Sequence, residues 1–380
     1  MAERLDVPAA LGSGQPRLQV AGDSAVWLSW GAPADSGDAL RYAARMEGTW
    51  SKPTTVASGA DWFVNWADLP SVVPLPSGRA AAHYLESNGA SPLAYAVRVT
   101  QRSAAGTWHA PVTPHADSTQ TEHGFVSMLP WPEDRLLAVW LDGRKMGGPG
   151  HGTGDMTLRG ALLGPEGIVE RRAQVDGRTC ECCATSAVRV GDEALVAYRG
   201  RSADEVRDIR LVRFDGAAWS APTRLHDDGW QIEGCPVNGP ALAAAGDRVA
   251  AAWFTAADGR PRVRAAFSTD GGRRFSDPIE VAAGTPRGRV DVALLSTGAA
   301  AISWLDMTET GGAVRARLLS LEGETHPPVT LARVSSSGRE VGFPKMVSYD
   351  NTLYVAWVQP NAADGASRVQ MARAPIDRLR

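Results

Sequence analysis

A short apolar stretch ending in an aromatic residue recurs seven times: Val26 to Trp30, Ala80 to Tyr84, Leu136 to Trp140, Ala194 to Tyr198, Val249 to Trp253, Ala300 to Trp304 and Leu353 to Trp357. The closing aromatics are 54, 56, 58, 55, 51 and 53 residues apart. So narrow a spread means one supersecondary unit repeated along the chain. A second marker keeps the same phase: Trp50-Ser51-Lys52-Pro53, Trp108-His109-Ala110-Pro111, Trp219-Ser220-Ala221-Pro222 and Phe275-Ser276-Asp277-Pro278. Between the markers, alternations such as Arg262 to Phe267 suit half-buried antiparallel strands. With Gly 40 and Pro 25 in 380 residues, turns are frequent and elements short. Each unit reads as four strands, A to D, the size of a propeller blade. The expectation is an all-β, seven-bladed β-propeller in one domain, residues 1-380. The blades fall near 17-58, 59-117, 118-178, 179-229, 230-284, 285-337 and 338-380 plus 3-10, with six blades as the alternative count. A pair of β-sandwiches would make the uniform spacing accidental. The seventh unit supplies strands A to C and then the chain stops, so Glu3 to Ala10 are expected to add its outer strand.

Ser268-Thr269-Asp270-Gly271-Gly272-Arg273-Arg274-Phe275 resembles the Asp-box of sialidase-like (BNR/Asp-box) propellers, with Phe214 to Trp219 the nearest remnant. The resemblance implies C-to-D turns that stabilise blades and carry no chemistry. Met1 to Arg4 opens without an apolar segment, which leaves a cytosolic protein or one whose signal peptide has been removed, and the resemblance implies the second, periplasmic or secreted. A sialidase would need a tyrosine nucleophile paired with a carboxylate, an arginine cluster and an aspartate acid/base. Arg199, Arg201, Arg287, Arg289 and Arg339 fall on a suitable face, but all six tyrosines fall within strands and the Phe/Tyr-Arg-Ile-Pro motif is absent. The resemblance therefore speaks to fold more than to activity. The formal charge of -3 argues against a nucleic-acid partner, and no apolar run is long enough for a membrane span.

In an up-and-down blade the D-to-A and B-to-C connections emerge at one face. Counting back 15 to 18 residues from each aromatic places there Glu122 and His123, then Cys180, Cys182 and Cys183, then Cys235, then Arg287 and Arg289, then Arg339 and Glu340. All four cysteines thus converge on one rim. Thiolates select soft ions, copper first, and His123 would add a nitrogen ligand. The glycine-rich loop from Lys145 to Met156 could add Met146, His151 and Met156. The competing readings are disulfides stapling blades four and five, and a Met156 that packs inward.

Trp62, Trp66 and Trp230 also lie in D-to-A connections, where an aromatic can anchor a partner or stack on a sugar. With Glu122, Asn238, Arg287, Arg289 and Arg339 they form a possible ligand-binding rim. Asp61, Asp68, Glu122, Glu181, Glu233, Asp291 and Glu340 keep hydrolytic chemistry open. Three functions follow: an exported copper-binding propeller, a glycan-active hydrolase, and a glycan- or protein-binding scaffold. The partner is accordingly a metal ion, a small-molecule or glycan ligand at the channel mouth, or a protein.

Overall fold

The computed structural model describes residues 2–22, 25–147, 153–360 and 366–379. Seven small antiparallel sheets form a ring, a seven-bladed β-propeller. Among the described residues there are strands and short 3-10 turns, and no helix long and apolar enough to cross a membrane.

The repeat translates directly into packing. All seven closing aromatics sit in B strands and are at most 5% exposed. Each indole removes roughly 200 Å² from water, a gross gain of about 5 kcal/mol. Several polar tips are paired: Trp140 Nε1 donates to Asp142 at 2.9 Å, Trp253 Nε1 to Asp228 at 2.6 Å, and the Tyr198 hydroxyl to Asp176 at 2.6 Å, whereas Trp304 Nε1 is buried with no partner among the described residues.

Blade one begins at Gly14–Ala21, and blades three to six each complete a four-stranded meander. Blade two departs from the expectation of four full strands. Its sheet holds Ser71–Pro74, Ala80–Ser87 and Tyr95–Arg102, and its outer edge is met by isolated bridges at Tyr95–Glu122, Val99–Val112 and Arg102–Trp108. Pro111 and Pro114 flank that stretch and cannot donate to a ladder. Blade seven comprises Lys345–Tyr349, Thr352–Pro360 and Ser367–Pro375, completed by Glu3–Leu5 from the other end of the chain. The closing register pairs Glu3 with Arg373, Arg4 with Ala372 and Leu5 with Met371.

The A strands surround a central cavity of about 430 Å³ lined by Arg17, Ser71, Ser127, Thr185, Asp291 and Lys345 among others. Near the start of several A strands the backbone turns to positive φ, at Gln15 (54°), Phe125 (54°), Val237 (49°) and Arg289 (52°). At Gln15, Phe125 and Arg289 the turn coincides with a bulge in the A-to-B pairing, which re-aims the side chains there.

Candidate functional site

Thr179 ends strand D of blade three, Val169–Thr179, and Ser186 begins strand A of blade four, Ser186–Val190. The connection between them holds Cys180, Cys182 and Cys183, whose sulfurs all lie within 4.8 Å of one another. Cys180 Sγ is 3.2 Å from Cys183 Sγ and 3.9 Å from Cys182 Sγ. All four cysteines are free thiols, the three clustered ones buried and Cys235 exposed. Cys235 reaches the cluster from the next D-to-A connection, its thiol 3.9 Å from Glu181 Oε2.

Arginines frame the sulfurs. Arg207 Nη1 donates to Cys180 Sγ at 3.3 Å and to Glu181 Oε2 at 2.6 Å, while its Nη2 reaches Glu205 at 2.9 Å. Arg201 pairs with both Glu181 and Glu205. Burial opposes ionisation of Cys180, yet hydrogen bonding from Cys182 and Cys183 and the charge of Arg207 hold its thiol well below the usual range. Burial and the neighbouring Cys180 push Cys182 and Cys183 well above it. Beneath them, Arg199 is buried and donates to three carbonyls, Asn238 at 2.9 Å, Arg207 at 2.6 Å and Phe254 at 2.7 Å.

Asn238 joins this cluster to a second feature. Its N–H points at Cys183 Sγ (3.4 Å), its Oδ1 accepts from the Arg289 N–H (2.7 Å), and its Nδ2 donates to Arg287 O (3.3 Å). Gly288, at φ 78°, makes this approach possible, because a Cβ there would lie 2.2 Å from Asn238 Oδ1. Beyond Asn238 opens a pocket of about 500 Å³ on the same face, which Trp66, Trp230, Arg287, Arg289 and Arg339 help to line. Ile232, Pro236, Val237 and Phe254 supply its apolar wall. Arg289 is buried, donates to Gly342 O at 2.8 Å and lies 4.9 Å from the Trp66 ring centroid. Arg287 and Arg339 are exposed, and neither forms a salt bridge among the described residues.

The structure therefore gathers six of the eight rim candidates in one pocket, and sends two elsewhere. Trp62 stacks on Tyr84 at 4.4 Å and so packs blade two. Glu122 is buried and accepts from the Tyr95 hydroxyl at 2.6 Å. The metal candidates also divide. His123 does not point at the cysteines. Its ring lies 4.0 Å from His115 in a stacked pair, with Nε2 3.2 Å from Asp117 Oδ2. Met156 begins strand C of blade three, is fully buried and packs with Met146 in the apolar cluster below the cysteines. His151 lies outside the described residues.

Sequence reasoning passed over Tyr95, because it opens a strand, Tyr95–Arg102. In the fold its hydroxyl meets Glu122, and burial followed by that carboxylate raises it well above the usual range. Nearby Asp68 is pushed up to about 7, by burial first, against the Phe125 N–H that it accepts at 2.8 Å and with the Glu122 charge reinforcing the rise. Arg199 and Arg207 were visible only as arginines, since nothing in spacing tells a buried guanidinium from a solvated one.

No protein-family profile matches the chain, and no curated protein matches it by sequence. Solved structures do match. The polysaccharide lyase Uly1 aligns at TM-score 0.56 and 10% identity over 96% of this chain and 90% of that one. A puromycin hydrolase aligns at TM-score 0.53 and 14% identity over 97% of this chain, which spans only 53% of the hydrolase. A protein of unknown function from Dyadobacter fermentans aligns at TM-score 0.50 and 15% identity over 81% of this chain and 94% of that one. At such identities the likeness establishes the shared propeller fold.

Proposed function

We propose that this chain is an exported, sialidase-like propeller that engages an anionic saccharide in the pocket beside the channel mouth. The observation that carries the reading is the lining itself: exposed Arg287 and Arg339 beside the half-buried ring of Trp66, over an apolar wall, in about 500 Å³. Guanidinium groups bind carboxylate or sulfate in a bidentate fork, and an indole face suits the apolar face of a sugar ring. A pocket of this size accommodates one or two sugar units. The fold shared with a polysaccharide lyase is compatible with a saccharide ligand, and the preference for an anionic one rests on the arginines. The single Ser268 to Phe275 turn supports the sialidase-like assignment; there Asp270 Oδ1 accepts from the Arg273 and Arg274 N–H groups at 3.0 and 2.9 Å. Export rests on the same resemblance.

Calorimetric titration with uronic-acid, sialylated, sulfated and neutral oligosaccharides tests the proposal. Binding should be confined to the anionic members and weaken as salt rises. Arg287→Ala and Arg339→Ala should each weaken it about tenfold, ~1.4 kcal/mol. Equal binding of neutral sugars, or none of any class, would sink the reading. Release of reducing sugars or unsaturated products from the bound members would assign a glycan-active enzyme, and their absence a lectin.

A further inference from the structure

We propose that Cys180, Cys182 and Cys183 form a three-sulfur site for copper(I), with Cys235 standing guard at its solvent side. The site does not rest on the saccharide reading, since none of the four cysteines lines that pocket.

Geometry comes first. An ion about 2.3 Å from each of three sulfurs in a plane holds them roughly 4.0 Å apart. Here the separations from Cys180 Sγ are 3.2 Å and 3.9 Å, and all three sulfurs lie within 4.8 Å. Rotations of side chains by a fraction of an ångström complete the triangle. All three come from one four-residue segment anchored at both ends by strands, so the donors are held together before any ion arrives.

Charge comes second. One copper(I) held by three thiolates makes a site of formal charge minus two, with no change of oxidation state. A buried double negative charge needs compensation, and the protein supplies part of it: the Arg207 guanidinium, shared with two carboxylates, lies 3.3 Å from Cys180 Sγ, the Asn238 N–H lies 3.4 Å from Cys183 Sγ, and the Arg199 charge acts on Cys183. Arg207 is itself oriented by Glu181 and Glu205. N–H donors aimed at ligand sulfurs are the outer partners that orient and tune a thiolate centre.

The number of donors selects the ion. Thiolates favour copper(I) and zinc over hard ions. Structural zinc takes four ligands in a tetrahedron. The fourth cysteine belongs to another connection, is exposed, and faces Glu181 Oε2 at 3.9 Å. Three sulfurs satisfy copper(I). Cys235 then suits a transient contact that passes the ion in from solvent.

The test uses the intact reduced protein under anaerobic conditions, titrated with copper(I) against a chromogenic copper(I) chelator. One ion per chain is expected, with a near-ultraviolet thiolate-to-copper band. Alkylation with iodoacetamide followed by peptide mapping should find Cys180, Cys182 and Cys183 protected by copper and Cys235 still reactive. Cys182→Ser and Cys183→Ser should lower affinity about 100-fold or more, and Cys235→Ser should leave it within about threefold. The protection map needs no variant, so a misfolded serine variant does not decide the outcome. A parallel zinc titration supplies the other arm: zinc bound in preference to copper, with loss on Cys235→Ser, would overturn the assignment in favour of a four-thiolate zinc site. Uptake of neither ion, or copper that leaves all four thiols reactive, would overturn the site altogether.

Discussion

Two clusters on the propeller bring three metal-binding side chains within 4.8 Å of one another: Cys180, Cys182 and Cys183 at the channel mouth, and His115, Asp117 and His123 at the entry to blade three. They differ in what already occupies their lone pairs. Asp117 Oδ2 faces Arg144 at 2.7 Å and His123 Nε2 at 3.2 Å. Asp142, fully buried, holds Arg144 at 2.6 Å and accepts from Trp140 at 2.9 Å. His123 Nδ1 lies 3.0 Å from Thr121 O and 3.2 Å from Tyr95 O. An imidazole whose two nitrogens both face oxygen acceptors is best satisfied as the cation. Burial opposes that charge, but the Asp117 hydrogen bond and the Asp142 charge raise His123 above its usual value. The histidine cluster therefore contains its own cations. In the cysteine cluster, among the described residues, only Arg207 donates to a sulfur from a cationic side chain, and the Arg199 charge acts on Cys183 from beneath. Proximity of donors makes a metal site only where electron pairs are left over: Asp117 and His123 are held by charged partners, whereas Cys180 and Cys183 each accept from one N–H group and keep lone pairs for an ion.

The largest way to disturb this contrast is to remove the support beneath the cysteines. Arg199→Met should cost about 4 kcal/mol in a denaturant melt, because three carbonyls, of Arg207, Asn238 and Phe254, lose their buried donor at once. A loss under 1 kcal/mol would show that solvent reaches those carbonyls. The histidine side should respond to pH instead. Burial, and then the His123 cation, pushes His115 down to about 4. An unfolded histidine titrates near 6.5, so below that pH the unfolded chain binds a proton that the folded chain refuses. Stability is complete above 6.5 and falls as pH drops toward 4, by up to about 3 kcal/mol from this group. His115→Phe should flatten that part of the stability profile, and an unchanged acid slope would count against the assignment. The smallest effect sharpens the comparison most. Arg144→Ala should cost about 1 kcal/mol of stability and free Asp117, so that zinc perturbs the imidazole resonances of His115 and His123 in NMR spectra where the wild type shows no response. Identical spectra in the two proteins would mean that engaged lone pairs are not what keeps metal out.

Much of the architecture was legible in the chain. The seven aromatics announced seven B strands, and the missing last strand pointed to Glu3 to Ala10, of which Glu3–Leu5 form the closing strand. The convergence of four cysteines followed from register alone, since equal offsets from equivalent aromatics put Cys180 and Cys235 on neighbouring connections. Side-chain direction did not follow. His123 lies within one residue of the rim offset, yet it begins a strand, His123–Trp131, and successive strand residues face opposite ways. An error of a single residue in register therefore turns a channel ligand into a side chain packed between blades.

Periodic apolar patterning by itself determined the blade count, the ring and its closure, because the cost of leaving a repeated hydrophobic face in water is paid identically in every unit. Only the tertiary structure decided which polar groups are satisfied. Asn238 meets both Cys183 and Arg289, Glu122 meets Tyr95, and Arg144 meets Asp117, and each pair is brought together by chain segments far apart in sequence or by a loop whose course spacing does not encode. Hydrophobic burial is additive and non-directional, so it can be read from a pattern. Hydrogen bonds and ion pairs depend on ångström-scale direction, and that direction exists only once the blades have packed.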